Sequence, residues 1–327
     1  MAIKINKLKL VFRDFRSRYK NWLKYSRYFG IISSLLFVSV VFSILTPIFL
    51  TKNNFINIAQ QSTINTLVAL GMTVVIMTAG IDLSVGSIVA LTSLVTAQTM
   101  IDHSIGVALL VGLLVGILCG LINGIFISYV KLQPFLVTLG TMSLYRGLAL
   151  VYCNGLPIRH IPEKFLTNIN ALNRFIPIPV IITVAAIIFI WFLIRYTVIG
   201  EYFFAIGGNE EATRLSGVRV NEYKITAYVI SGIACTVAGI IFIARLGVAD
   251  PQAGIGYELE AIAAAAIGGA SLSGGKGSAF GTVIGAFLLS AIRNGLTLLN
   301  VQAFFQYIAI GVIILIAITV DQLSQGD

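Results

Sequence analysis

The chain has 327 residues, of which 57% are hydrophobic and 11% charged, and a formal net charge of +9 at pH 7. A soluble chain usually carries about 25% charged residues. This much apolar surface therefore excludes an ordinary soluble domain, and the long unbroken apolar runs exclude a barrel of alternating strands of about 10 residues each.

The positive charge is local. Residues 1–27 hold nine Lys or Arg against one acid, Asp14, and the rest of the chain holds 13 basic and 12 acidic groups. A basic segment beside a membrane helix stays cytoplasmic and is drawn to anionic lipid. A nucleic-acid arm would have a similar composition, but no binding module follows it. Both the basic region and the first apolar run are too long for a cleaved signal peptide, so the run over 30–50 is expected to be a retained anchor helix. Three scattered cysteines, Cys119, Cys153 and Cys235, have neither metal-site nor disulfide spacing and read as small buried hydrophobes.

In chain order, a polar stretch over 52–63 reads as a connection and 64–79 as a second span. The third span runs to Met100. The fourth, 105–130, carries Gly112, Gly116, Gly120 and Gly124 at a four-residue period, which leaves one face nearly bare for close helix contact. Lys131 and Pro134 end it, and a fifth span follows over 135–153. A polar loop over 154–175 leads to a sixth span at 176–195. The charged segment Glu201–Lys224 precedes a seventh span at 225–245. A short Ala-rich segment at 259–268 is followed by the Gly/Ser run Gly268–Ser278, a ninth span at 279–298 and a tenth at 304–320. The expected fold is all-α and polytopic, with about ten spans of about 20 residues. The N-terminal segment 1–28 and the tail 322–327 would be cytoplasmic and 29–321 the membrane domain. On that topology Lys131, Arg195, Arg214, Arg219, Lys224 and Lys276 lie inside and Lys52, Arg159, Lys164, Arg174 and Arg245 outside. The inner excess is strong once the N-terminal cluster is included.

The runs Ile81–Ser87 and Ala270–Lys276 each follow one apolar segment and open another. Paired glycine-interrupted segments point to a transporter with internal repeats and discontinuous helices. Two unrelated Gly/Ser turns would give the same pattern.

Asp82 is the sharpest single residue, because an acid between apolar segments is costly in hydrocarbon. With Gly80 before it and Ser84, Gly86 and Ser87 after it, it is expected to cap the next helix or to couple motions, ahead of touching solute. Proton coupling is weakly supported, because no second buried acid pairs with it. Arg146 and Arg293 lie within apolar segments and either line a polar path or pair structurally. Arg146 with Tyr145 and Asn154, and Arg293 with Asn294, are candidate translocation-path residues. Glu258 and Glu260 suit a helix start.

In 201–224, Asn209 is a natural N-cap, Glu210 and Glu211 suit the first turn, and Gly217 is a natural stop. Ala212, Arg214 and Leu215 complete a short amphipathic helix that reads as a docking element, or else as a plain surface loop. The sequence has no Gly-rich loop ending in Gly-Lys-Ser/Thr, and only two histidines, His103 and His160. An enzyme and a metal site are not expected, and any ATPase would be another chain.

Several runs, in this order, resemble the permease subunits of bacterial ATP-driven (ABC) importers of monosaccharides, and within them the ribose-importing members most. They are Thr78–Ser87, Tyr152–Gly155, Ala205–Val218, Gly256–Ala263, Gly268–Gly277 and Arg293–Leu296. The likeness covers residues 40–321. The long basic start and Asp250-Pro251-Gln252 depart somewhat from the pattern. The resemblance implies about ten spans, both termini cytoplasmic, and a pair of permeases in the inner membrane, either a homodimer or two related chains. It also implies a cytoplasmic ATPase that uses ATP and Mg, and an extracytoplasmic sugar-binding protein. Asn209–Gly217 would dock on the ATPase. The Asp82 run and Ser273, Gly274 and Gly275 would be the membrane-core signatures of the two halves. Permeases for xylose, arabinose, galactose and autoinducer sugars share these signatures. A permease for a nucleoside or branched-chain amino acid, an ion-coupled transporter and a membrane scaffold are the competing readings.

Overall fold

The computed structural model describes residues 29–170 and 177–325. The expected basic segment 1–28, residues 171–175 of the loop and the end of the tail lie outside the described residues.

The described chain is helical, with one isolated antiparallel bridge between Ile158 and Ala249. In order, the helices are α1 (Phe29–Leu45), α2 (Lys52–Met77), α3 (Val85–Asp102), α4 (Ile105–Ser128) and α5 (Pro134–Tyr152). There follow α6 (Glu163–Asn170), α7 (Ile178–Tyr196), α8 (Val198–Gly208), α9 (Glu210–Leu215) and α10 (Val220–Leu246). The last three are α11 (Tyr257–Ile267), α12 (Ala279–Leu298) and α13 (Ala303–Gln325). Six of them, α3, α4, α5, α7, α10 and α12, are long and apolar enough to cross a bilayer.

The core is built on α2, α3 and α10. Leu67–Met77 of α2 are buried throughout, and most of α3 and α10 is buried as well. In contrast α4, α5 and α7 are mostly unburied and expose large apolar side chains, among them Leu110, Leu114, Leu144, Ile188 and Phe192. These helices form an outer shell with apolar side chains turned outward. The glycine stripe of α4 packs as its period predicts. A Cβ at Gly120 would stand 2.8 Å from the Val229 Cα, and one at Gly124 2.8 Å from the Ile225 Cα, so α4 and α10 touch backbone to backbone.

One expected connection is helix instead. Residues 52–63 are the first half of α2, capped by the Thr51 hydroxyl, which accepts from the Asn54 amide. Its buried polar side chains, Asn54, Ser62 and Thr63, have partners inside the protein. Ser62 and Thr63 donate to carbonyls of their own helix, and the Asn54 amide group donates to the Phe49 carbonyl at 2.8 Å and to Asn294 Oδ1 at 2.9 Å. On this inward face polarity marks internal contacts, while Lys52, Asn53 and Asn57 on the other face are exposed. The short eighth segment is α11, with 11 residues. At 1.5 Å per residue it is about 16 Å long, roughly half the hydrocarbon thickness.

Candidate functional site

Asp82 sits in the link between α2 and α3 and is fully buried. Its Oδ1 accepts the Ser84 N–H at 3.0 Å and the Ser84 hydroxyl at 2.6 Å, and its Oδ2 accepts the Ser231 hydroxyl at 2.9 Å. The chain of bonds continues outward. Asn123 donates to Ser84 Oγ at 2.8 Å, and Tyr145 donates to the Asn123 side-chain oxygen at 3.3 Å and to the Cys119 carbonyl at 3.0 Å. Thr138 and Tyr228 both donate to the Ile81 carbonyl. The link is thereby tied to α4, α5 and α10. Among the described residues no Lys or Arg forms an ion pair with Asp82. The carboxylate is held by hydrogen bonds alone and acts as a structural hub. Ser87 donates back to the Ser84 carbonyl, and Gly86 lies against the 254 backbone, where a Cβ would also stand 2.9 Å from Glu258 Oε2.

The other polar candidates separate into two groups. Arg146 donates to the carbonyls of Pro251 and Ala253, so it secures the loop before α11. Its neighbour Tyr145 points to α4 instead, and Asn154 is an exposed residue at the end of α5 with φ of 50°. Arg293 on α12 is ion-paired with Glu260 on α11, and Asn65 on α2 donates to the other Glu260 oxygen at 2.8 Å. The Asn54–Asn294 bond ties α2 to α12 and the Asn65–Glu260 bond ties α2 to α11.

The Gly/Ser run before α12 meets the end of α2 directly. The Gly275 N–H donates to the Met77 carbonyl at 3.1 Å, and the Gly274 N–H donates to the Ser271 carbonyl at 2.8 Å, with Ser273 inside that turn. Gly207, near the end of α8, closes the junction: a Cβ there would overlap both the Met77 carbonyl and the Gly275 amide.

Two residues later the chain enters α9. The Asn209 side-chain oxygen accepts the Ala212 N–H at 2.9 Å, which is the expected N-cap, and Gly217 leaves the helix at φ of 85°. Glu210 pairs with Arg214 at 2.7 Å and with Lys224 of α10 at 3.0 Å. Burial pushes the Glu210 carboxyl up, but the Lys224 bond and charge, together with Arg214, outweigh it and hold the pKa below the usual value. Thr213 faces inward, while Glu211, Ala212, Arg214 and Leu215 are exposed, Leu215 by 81%. A capped, ion-paired helix with a bare leucine at its tip is suited to insertion into a partner.

Sequence reading did not single out Asn54, Asn65, Asn123, Ser231 or Gly207. A lone amide inside an apolar helix is the available signal for Asn123, whereas Asn54 and Asn65 lie in or beside the polar run 52–63. Gly207 lies within the run Ala205–Val218, but its position depends on a contact across 68 residues that no local pattern displays.

A core of buried helices behind a shell with outward apolar side chains, six of the helices being long and apolar enough to cross a bilayer, fits a multi-pass membrane permease. Residues 54–318 match the family described as "Branched-chain amino acid transport system / permease component", and the chain belongs to that family. It is 42% identical over 314 residues to the ribose import permease protein of Escherichia coli (strain K12), covering 94% of this chain and 96% of the relative. It is 44% identical over 296 residues to the ribose import permease protein of Bacillus subtilis (strain 168), covering 90% and 92%. The D-allose transport system permease protein of Escherichia coli (strain K12) is 38% identical over 306 residues, covering 92% of each. No solved structure matches the chain. The protein is accordingly a transport component, not an enzyme.

Proposed function

We propose that this chain is the membrane-spanning subunit of an ATP-driven, binding-protein-dependent importer that moves D-ribose across the inner membrane. The observation that carries the reading is the 42% identity to a ribose import permease over 94% of the chain. The similarity to a D-allose permease makes another monosaccharide the second reading.

Ten spans follow if α1, α2, α11 and α13 join the six long apolar helices. Both termini are then cytoplasmic, and α9 faces the cytoplasm. The helix pairs α2–α3 and α11–α12, each joined by a Gly/Ser link and touching at Met77 and Gly275, are read as the paired elements of two pseudo-repeats. Two permease copies would flank the path. A sugar-binding protein delivers cargo outside. A cytoplasmic ATPase binding ATP and Mg receives α9 through Glu211, Arg214 and Leu215. Closure of that ATPase moves α9, the Gly207 junction passes the displacement to the ends of α2 and the Gly/Ser run, and the path changes from outward to inward access. Arg146, Asn154, Arg293 and Asn294 remain candidates for the path. Their contacts favour a positioning role for the arginines.

Reconstitution in liposomes with the ATPase and binding protein tests this. ATP-dependent uptake of labelled ribose that needs all three components and is lost in Glu211→Lys supports the reading. The same dependence with allose replaces the sugar. Uptake that is indifferent to the ATPase overturns the proposal in favour of ion coupling.

A further inference from the structure

Where the last turn of α7 meets α8 and the start of α12 there is a cavity of about 390 Å³. Trp191, Ile194, Arg195, Phe204, Ser278 and Phe280 line it. Its walls are aromatic. The Trp191 ring lies 5.7 Å from that of Phe280 and 5.3 Å from that of Tyr196. Among the described residues Arg195 is the one charged residue in the lining and no acid lines the cavity; Glu201, in the first turn of α8, is outside it. Among the described residues no acidic group pairs with Arg195.

The cavity continues onto the outer face of α7. Ile188, Phe192 and Tyr196 of α7 and Phe280 of α12 are exposed side chains on helices able to span the bilayer. Trp and Tyr mark the level of the lipid headgroups. An occupant therefore meets one positive charge at the interface and a continuous apolar track running from it into the hydrocarbon. We infer that the cavity binds an anionic phospholipid, with its phosphate at Arg195 and its acyl chains along α7. The volume suits a headgroup and the start of the chains, not an entire lipid. Basic pockets between membrane helices recognise acidic headgroups in this way. A soluble anion would use the charge but leave the apolar track uncovered.

The chain has only two tryptophans, Trp22 and Trp191, so a Trp22→Phe variant makes Trp191 the sole reporter. We would place the full-length variant in phosphatidylcholine vesicles and titrate acyl-brominated phosphatidylglycerol or acyl-brominated phosphatidylcholine. Trp191 fluorescence should be quenched half-maximally at a roughly fivefold lower fraction of the glycerol lipid, the factor that one basic residue contributes at a membrane surface. Adding Arg195→Gln should bring that ratio to about one while quenching persists, which also shows that the variant is folded in the bilayer. Adding Arg195→Lys should keep part of the preference, and adding Arg219→Gln, which removes an exposed charge elsewhere, should keep all of it. Equal quenching by both lipids in the Arg195 protein would overturn the proposal. So would a preference that survives Arg195→Gln, relief of quenching by millimolar inorganic phosphate, or a Trp191 that neither lipid reaches because a second copy covers it. None of these readouts depends on which solute is transported.

Discussion

The Met77 carbonyl and the Gly275 amide are joined by a hydrogen bond of 3.1 Å, although 198 residues separate them. Gly207 fills the remaining side of that junction and lies two residues before the cap of α9. Three backbone segments meet there, and one of them leads straight to α9.

That geometry makes Gly207 and Gly208 a matched pair. A Cβ at Gly207 would overlap two backbone atoms that cannot yield without moving α2 or the Gly/Ser run, whereas a Cβ at Gly208 meets nothing within 4 Å. Overpacking of this kind costs about 1–3 kcal/mol. Gly207→Ala is expected to lower ribose uptake at least about tenfold and reduce thermal stability in detergent by that amount. Gly208→Ala should leave both near the parent values. Equal effects would show that the junction does not carry the motion.

The Asp82 hub separates a structural role from a chemical one. Asp82→Ala leaves the Ser84 N–H and the Ser84 and Ser231 hydroxyls without their buried acceptor. Each orphaned buried group costs roughly 1–3 kcal/mol, so the variant should be strongly destabilised or fail to accumulate. Asp82→Asn keeps an acceptor oxygen and the shape, and should accumulate and retain most uptake. If the asparagine variant is stable but inactive, Asp82 takes part in transport directly.

How far the sequence shows these sites depends on whether their contacts are local. Asn209, Ala212 and Gly217 are legible because a helix cap is written within a few residues. The stripe from Gly112 to Gly124 is legible because its period is a property of α4 alone. The first half of α2 is not, since Asn54 and Asn65 look like surface residues until Asn294 and Glu260 arrive from the other end of the chain. Arg146 shows the same limit. Its position inside an apolar run marks it as special, but only the fold reveals that the Pro251 and Ala253 carbonyls are its partners.

The Arg293–Glu260 pair should behave as a buried ion pair does. The Glu260 side chain is 6% exposed and that of Arg293 31%. Removing one partner strands the other, and complete burial would put the cost near 3–5 kcal/mol. Allowing for the partly solvated guanidinium, Glu260→Gln is expected to cost about 2 kcal/mol. Glu260→Gln with Arg293→Met should cost less than either single change, because no charge is left unpaired. Thermal denaturation of the four proteins measures this, and strict additivity would mean that the pair does not interact.

The tie between Glu210 and Lys224 gives a pH dependence of known sign. The folded carboxyl titrates below its ordinary value, so the unfolded or undocked segment binds a proton first as pH falls. The stabilisation is complete above the ordinary glutamate range, declines as pH enters that range, and is gone below the lowered folded pKa. Glu210 is partly exposed, so the effect is local to the α9–α10 corner and weakens with salt. Protection of the Ala212 and Thr213 amides from hydrogen exchange, corrected for the intrinsic rate, should be constant near neutrality and fall on acidification. In Lys224→Gln, where the main counter-charge is removed, protection near neutrality should be lower and its fall with pH shallower. A pH profile identical to that of the parent would show that Lys224 does not hold α9 in place.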